Sequence, residues 1–451
     1  MADQSAATVS SHTFSPASLR YALGVLFFVN VLNMVDRSIM GVLLESIRED
    51  MELSDTQIGI LTGFAFALFY AVAGIFIARL SDLYDRRLVL SASILVWSVM
   101  TAATGAVHGF AHFFLARMGV GIGESSAIPT SNAMIGDYFP ATRRSLALAI
   151  FTAGSFLGVL VGSALGGYVG QYFGWRWAFV VAALPGVPLA LLTFLTLRDP
   201  PRGGSDGHVV TEKMSLAETL RALFGNQAFL LLILSSGFIT FMLFGIVGWL
   251  PAFLMRRYAL EQATVGLFFG TALGLGTAAG AVIGGMTANG LARRSLRWLT
   301  RMPLLLSFLL LPLYELAIFA PDATISLIFI GLVSMVGGAM LGPVLAAIQT
   351  VLPPGIRAVG SSLTGFSGSL IGLGGAPLII GILSDLFARS MDSATALQFA
   401  LACAVTAGVF VSVLLFFADR VFASRYCLMA PLGNFDARNH NVSKLSRPCE
   451  S

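Results

Sequence analysis

The sequence predicts an all-α membrane protein of twelve transmembrane helices, arranged as two pseudo-symmetric six-helix halves. Three observations carry this. Of the 451 residues, 56% are hydrophobic and only 11% charged, less than half the roughly 25% usual in soluble domains. Apolar stretches long enough to cross a bilayer recur along the chain. Landmark residues of the first half return in the second, in order and at a nearly constant offset.

Composition also excludes classes. So apolar a chain is not disordered. The 48 glycines suit helices that approach closely in lipid. The net charge of +4 is read as basic loops on the inner membrane face, so no nucleic-acid partner is expected. Cys403, Cys427 and Cys449 form neither a disulfide framework nor a metal pattern. The two lysines, Lys213 and Lys444, do not follow glycine, so no Walker A loop is present and ATP-driven transport by this chain is not expected. HExxH, CxxC and GxSxG are absent. The chain therefore reads as a non-enzyme without cofactor or metal.

Residues 1–20 are polar and carry no cleavable-signal pattern; they read as a cytoplasmic tail. The first bundle, 21–197, holds spans near 21–45, 57–79, 88–107, 112–137, 145–170 and 176–197. A polar linker, 198–226, opens with Pro200-Pro201 and contains a short amphipathic helix around Leu216–Leu223. The second bundle, 227–420, holds spans near 227–255, 262–289, 302–320, 323–350, 359–388 and 394–419, followed by a tail at 421–451. With both termini cytoplasmic, Arg20, Arg79, Arg86, Arg87, Arg143, Arg144, Arg293, Arg294, Arg297, Arg301 and Arg357 face inward, whereas only Arg48, Arg176, Arg256, Arg257 and Arg389 face outward. That bias fixes the orientation in a cell (inner) membrane, and it makes the sequon at Asn441 a chance match.

The repeat is specific in its landmarks. Gly59, Gly63, Asp82, Arg86 and Arg87 map onto Gly266, Gly270, Asn289, Arg293 and Arg294 at an offset of 207. At 214, Pro140, Arg143, Gly154, Ser155 and Gly158 map onto Pro354, Arg357, Gly368, Ser369 and Gly372. Two parallel six-helix halves form one of the repeat architectures of secondary transporters, with the substrate site between them.

The loop after the second span reads Ala78-Arg-Leu-Ser-Asp82-Leu-Tyr-Asp85-Arg86-Arg87. It resembles the signature loop of the major facilitator superfamily, keeping Asp82, Arg86 and Arg87 but carrying Ala78, Leu83 and Asp85 where the pattern has Gly, Arg and Gly. The fourth span carries Arg117-Met-Gly-Val-Gly121-Ile-Gly123-Glu124, and the first carries Asn30, Asn33, Asp36 and Arg37. Asp-Arg in the first span with Arg…Gly-x-Gly-Glu in the fourth is similar to the spinster-like branch of that superfamily. The superfamily resemblance covers residues 20–420, and the spinster resemblance rests mainly on the first six spans. Gly158 is followed by Val159 rather than the proline of many antiporters. The resemblance implies the major facilitator fold and alternating access, with Asp82, Arg86 and Arg87 as a cytoplasmic gate. Their other reading is simple inner-face anchoring.

The chemistry of the spans stands apart from the resemblance. A charge at mid-bilayer costs at least about 2.5 kcal/mol on insertion scales, so such groups are paired and usually functional. The first half has four: Asp36, Arg37, Arg117 and Glu124. At ~1.5 Å per residue Arg117 lies roughly 8 Å deep, Asp36 and Arg37 roughly 13 Å and Glu124 roughly 18 Å. Asn30, Asn33 and Arg37 share one helix face, as do Arg117 and Glu124. Both stripes turned toward one aqueous cavity would give a proton site at Asp36 and Glu124. Arg37 and Arg117, which cannot deprotonate, would hold a substrate anion, aided by Asn30 and Asn33. The competing reading is a structural ion-pair cluster. The second half is apolar, with Phe238, Phe241, Phe244 and Phe366 on its walls, which suits an amphipathic substrate with its head on the charged half. Spinster relatives in animals are associated with sphingolipid and lysolipid export, and this favours a lipid-like cargo. The expected partners are protons, that substrate and the lipid bilayer, with the chain acting as a monomer. The alternatives are a carrier of small organic anions or drugs, and a non-transporting receptor or sensor.

Overall fold

The computed structural model describes residues 15–201, 216–353 and 356–426. Among these residues, eleven helical spans are long and apolar enough to cross a membrane: Pro16–Asp50, Asp55–Ser81, Arg86–Thr104, Thr142–Phe173, Trp175–Thr196, Gln227–Tyr258, Gln262–Ala292, Trp298–Ile318, Ala323–Val351, Val359–Phe387 and Ser393–Ser424. The twelfth span, fourth in chain order, is built from two shorter helices, Phe110–Glu124 and Ala127–Tyr138. The spans are numbered 1 to 12 below. The expected linker helix is present as Leu216–Phe224, with Leu223 buried. Cys427, Cys449, the sequon and most of the linker lie outside the described residues.

Two differences from the sequence expectation have physical causes. Span 1 is longer than the 21–45 read from hydropathy. Ser15 caps it by accepting from Ser18 N–H at 3.2 Å, and Pro16 sits in its first turn. Hydropathy reports only the part inside the hydrocarbon, whereas caps set where the helix ends. Span 4 was expected to be continuous over 112–137 but breaks at Ser125-Ser126. There the Ser125 hydroxyl donates to Ile122 O at 2.7 Å, a local bond that competes with the helical ladder. Spans 2, 7 and 11 also loosen into π-helical turns, at Ile60–Phe64, Phe241–Gly245 and Gly368–Gly375, a feature frequent at functional sites.

Packing follows the repeat. Span 5 lies along span 1 as span 11 lies along span 7, and span 4 lies on span 2 as span 10 lies on span 8. Between the halves, span 5 meets span 8 and span 2 meets span 11. The 5–8 contact needs glycine. A Cβ on Gly266 would stand 2.8 Å from the Gly167 Cα, so the two backbones touch directly. Large apolar side chains such as Phe28, Val282 and Met286 are exposed, the surface expected of a chain solvated by lipid.

Each half also carries a polar clasp. Arg86, at the start of span 3, donates to Asp199 beyond span 6 at 2.8 Å, to Asp137 at the end of span 4 at 2.6 Å and to Pro200 O at 2.6 Å. Arg297, at the start of span 9, pairs with Asp419 in span 12 at 2.6 Å, and Thr300 donates to the same carboxylate at 2.9 Å.

Candidate functional site

The break in span 4 follows Glu124 directly, and the central charges gather there. Arg37 Nε donates to Glu124 Oε2 at 2.7 Å. The Glu124 side chain is 1% exposed and the Arg37 side chain 21%, so the carboxylate is sealed inside the half while Arg37 is partly exposed, with its Nη2 buried and in no hydrogen bond of good geometry. The carbonyl-bearing end of the helix Phe110–Glu124 adds partial negative charge beside that guanidinium. Asp36 is buried and accepts from the Thr101 hydroxyl of span 3 at 3.1 Å.

An aromatic pair holds the two arginines. Phe66 and Tyr70 of span 2 stack with centroids 5.4 Å apart. Arg37 lies 5.0 Å from the Phe66 centroid and 4.7 Å from that of Tyr70, and Arg117 lies 5.2 Å from Phe66. Phe66 thus offers its ring to both guanidinium groups. Neither aromatic was singled out in the sequence, because aromatic residues in an apolar span are ordinary.

The expected substrate asparagines part company. Asn33 is fully buried beside Glu124, with neither amide atom in a hydrogen bond of good geometry. Asn30 turns instead toward span 5, donating to Phe151 O at 2.7 Å and to Ser155 Oγ at 2.8 Å. Its stripe position is spent on packing span 1 against span 5. At the expected cytoplasmic gate the Asp82 side chain lies outside the described residues. Arg86 is held by the clasp within its own half, and Arg87 pairs with Asp85 at 3.0 Å.

A second polar site, missed from the sequence, joins the halves at the ends away from the linker. Arg256 of span 7 donates to Glu45 of span 1 at 2.7 Å and, through both terminal nitrogens, to Asp55 of span 2 at 2.8 Å. Ser384 of span 11 donates to Asp55 at 2.6 Å, and Asp385 accepts from the Asp55 and Thr56 N–H groups at 3.0 and 2.8 Å. The Arg256 side chain is 6% exposed. Such a latch is invisible in sequence because acids and arginines at span ends are commonplace. Just inside it, Gly41 of span 1 faces Gly248 of span 7, where a Cβ would meet Gly248 O at 3.3 Å. Arg37 and Phe244 each lie four residues earlier, one turn toward the linker side on the same faces, and there both side chains are partly exposed. The halves are joined at the end away from the linker, and one turn inside that junction Arg37 of the first half and Phe244 of the second are both partly exposed.

A twelve-span bundle of two repeated halves, closed at one end over a buried charge cluster, is the architecture of a secondary transporter. Residues 26–376 match the family model of the Major Facilitator Superfamily, and the chain belongs to that superfamily. An MFS-type efflux pump of Mycolicibacterium smegmatis is 35% identical over 364 residues, covering 81% of this chain and 84% of the relative. The sphingosine-1-phosphate transporter SPNS2 of Danio rerio is 28% identical over 405 residues, covering 84% and 78%. Among solved structures, a bacterial homolog of the human lysosomal transporter Spinster, in an inward-facing and unoccupied conformation, superposes with a TM-score of 0.82 at 28% identity, covering 91% of this chain and 99% of that one. The chain is a spinster-like membrane transporter rather than an enzyme.

Proposed function

We propose that this transporter couples the movement of protons to that of an amphipathic, lipid-like anion by alternating access, with both termini in the cytoplasm and the linker side open inward. The observation that carries the reading is the Arg37–Glu124 pair, 2.7 Å long, at the boundary between a sealed carboxylate and the space between the halves. Protonation of Glu124 removes the charge that holds Arg37, and the freed guanidinium can then take a substrate anion. Asp36, beside Thr101, is the second proton site, and Arg117, 5.2 Å from the Phe66 centroid, is the second anion group. The substrate tail lies along the opposite wall at Phe244. Names of relatives support the cargo class: one transports sphingosine-1-phosphate, itself an anionic head on a long chain. In the outward-open form Asp82, Arg86 and Arg87 close the cytoplasmic side, which requires the Arg86 clasp to rearrange.

The 35% identity to an efflux pump favours a second reading, a proton-coupled carrier of small organic anions or drugs. Purified protein in liposomes, loaded with a pH-sensitive dye and challenged with a panel of lysolipids, sphingoid phosphates and drugs, tests both. Proton flux driven by long-chain anions and lost in Glu124→Gln is the expected result. Flux driven equally by short organic anions supports the second reading, and substrate uptake indifferent to a proton gradient overturns the coupling.

A further inference from the structure

On the outer surface of the first half, away from the central cavity, two depressions meet at Tyr21. One is a groove of about 660 Å³ between spans 1, 5 and 6. It is walled by apolar side chains such as Phe28, Val161, Leu165 and Leu192. Along span 1 it runs from Tyr21 to Val35, about 21 Å at helical rise, which exceeds the ~15 Å of one leaflet's hydrocarbon. The other is a pocket of about 470 Å³ at the linker-side end, lined by Ser15, Ser18, Tyr138, Thr196 and Arg198. Tyr21 lines both, with its hydroxyl 2.6 Å from Thr196 Oγ1.

The pocket is biased toward an anion. Arg198 is exposed and its side chain is in no ion pair among the described residues. The adjacent Asp199 is already neutralised by Arg86 at 2.8 Å. The first turn of span 1, whose end carries partial positive charge, has no acidic residue. The Ser15 and Ser18 hydroxyls are neutral donors beside it, whereas those of Tyr138 and Thr196 already donate to Arg198 O and Leu192 O. A basic, hydroxyl-lined pocket at one end of an apolar groove of leaflet length matches a phospholipid in both head and tail.

We propose that this surface is a binding site for one anionic glycerophospholipid of the linker-side leaflet, its phosphate in the Arg198 pocket and one acyl chain along spans 1, 5 and 6. The site is independent of the transport reading, because it lies outside the cavity and uses none of the central charges. A resident lipid there would bind the start of span 1 to the end of span 6.

The test uses the full-length chain in phosphatidylcholine nanodiscs doped with phosphatidylglycerol bearing a diazirine in its acyl chain, with cross-links mapped by mass spectrometry. Labelling is expected on 21–35 and 181–192, competed by unlabelled phosphatidylglycerol and by neither phosphatidylcholine nor inorganic phosphate. Arg198→Ala is expected to reduce it about fivefold, the effect of one basic group near an anionic headgroup. Gly24 lines the groove and has open space at its Cβ position, so Gly24→Phe should fill the groove without displacing a neighbour and remove the acyl labelling. Arg37→Ala should leave labelling unchanged whether or not it stops transport. Labelling spread evenly over all lipid-exposed spans, equal competition by phosphatidylcholine, or yields unchanged in both site variants would reduce the groove to ordinary annular lipid. Competition by inorganic phosphate would assign the pocket to a free anion. Either result overturns the proposal.

Discussion

The two halves share a scaffold and differ in what they place at its centre. At the offset of 207 that relates spans 1 and 7, Asp36 and Arg37 correspond to Leu243 and Phe244. At the offset of 214 that holds later in the repeat, Arg117 and Glu124 correspond to Gly331 and Gly338. The backbone equivalence is visible at Gly41 and Gly248, which meet at the closure with Arg37 and Phe244 one turn below. In the first half the space between spans is occupied by an ion pair and an aromatic pair. In the second, Leu243 packs against Gly337 and the four equivalent positions carry no charge. A duplicated unit has thus been divided into a half with charged groups at mid-span and a half that supplies an apolar wall. At the four equivalent mid-span positions the desolvation cost of buried charge, several kcal/mol per ion, is borne on one side only.

The sharpest way to break this comparison is to remove a charge from the charged half. Arg37→Ala leaves Glu124 buried and unpaired. Breaking a buried pair costs about 3–5 kcal/mol, so substrate-driven proton flux in liposomes should fall by about 100-fold or more. The reciprocal Glu124→Gln should abolish coupling while keeping measurable substrate binding, since Arg37 stays. Wild-type flux in Arg37→Ala would return the quartet to a purely structural cluster.

The next effect is on the closure that both halves share. Arg256 is the one side chain described here that bridges Glu45 and Asp55 across the interface, and Arg256→Ala removes that cross-half charge, leaving Glu45 to Arg48 at 2.8 Å and Asp55 to Ser384 at 2.6 Å. By the same cost the closed outer end should lose stability by roughly 3 kcal/mol, a shift of about 100-fold in the balance between inward- and outward-open forms. Spin labels on the outer ends of spans 1 and 7 should show a longer distance as the main population. An unchanged distribution would mean that the glycine contacts at Gly41–Gly248 and Gly167–Gly266 hold the closure alone.

Much of this was legible in the sequence, for reasons that vary by feature. The spans could be read because twenty apolar residues in a row have few other uses. The quartet could be read because charge inside such a run is costly. The latch could not, since Glu45, Asp55 and Arg256 stand at span ends where charge costs little, and only the fold brings them within 2.8 Å. Phe66 and Tyr70 were hidden by their own ordinariness. Asn30 was misplaced among the substrate contacts because helical spacing fixes a face but not which neighbour that face meets. The clasps paired residues more than a hundred positions apart, Arg86 with Asp199 and Arg297 with Asp419, beyond the reach of any local pattern.

The proposed proton sites in the first half imply a pH response with a defined sign. In this form Glu124 is paired with Arg37, so the form binds fewer protons than one in which the pair is broken and the carboxyl protonated. Acidification should therefore shift molecules away from it, by at most about tenfold per pH unit for one proton. Glu124→Gln or Asp36→Asn should blunt the shift, and the double change should remove it, as read by the same spin-label distances across a pH series. A double variant that switches like the parent would move the proton site elsewhere, with Asp82 and Glu315 the next carboxylates to test.

The smallest effect addresses the apolar half and decides between its two cargo classes. Phe244 is 46% exposed, so truncating it should cost little stability. If the substrate tail lies there, Phe244→Ala loses part of one aromatic contact, about 1 kcal/mol, or a roughly fivefold rise in KM for long-chain substrates. Turnover at saturation should hold, because the charges that couple protons lie on the other wall. The chain-length series carries the argument: the penalty should shrink as the acyl chain is shortened and vanish for an anion with no tail. A penalty equal for short and long substrates would mean that Phe244 shapes the cavity generally, and the division into charged head and apolar tail would give way to a carrier of compact organic anions. A long-chain penalty that appears in turnover rather than KM would instead tie Phe244 to the closing motion above it at Gly248.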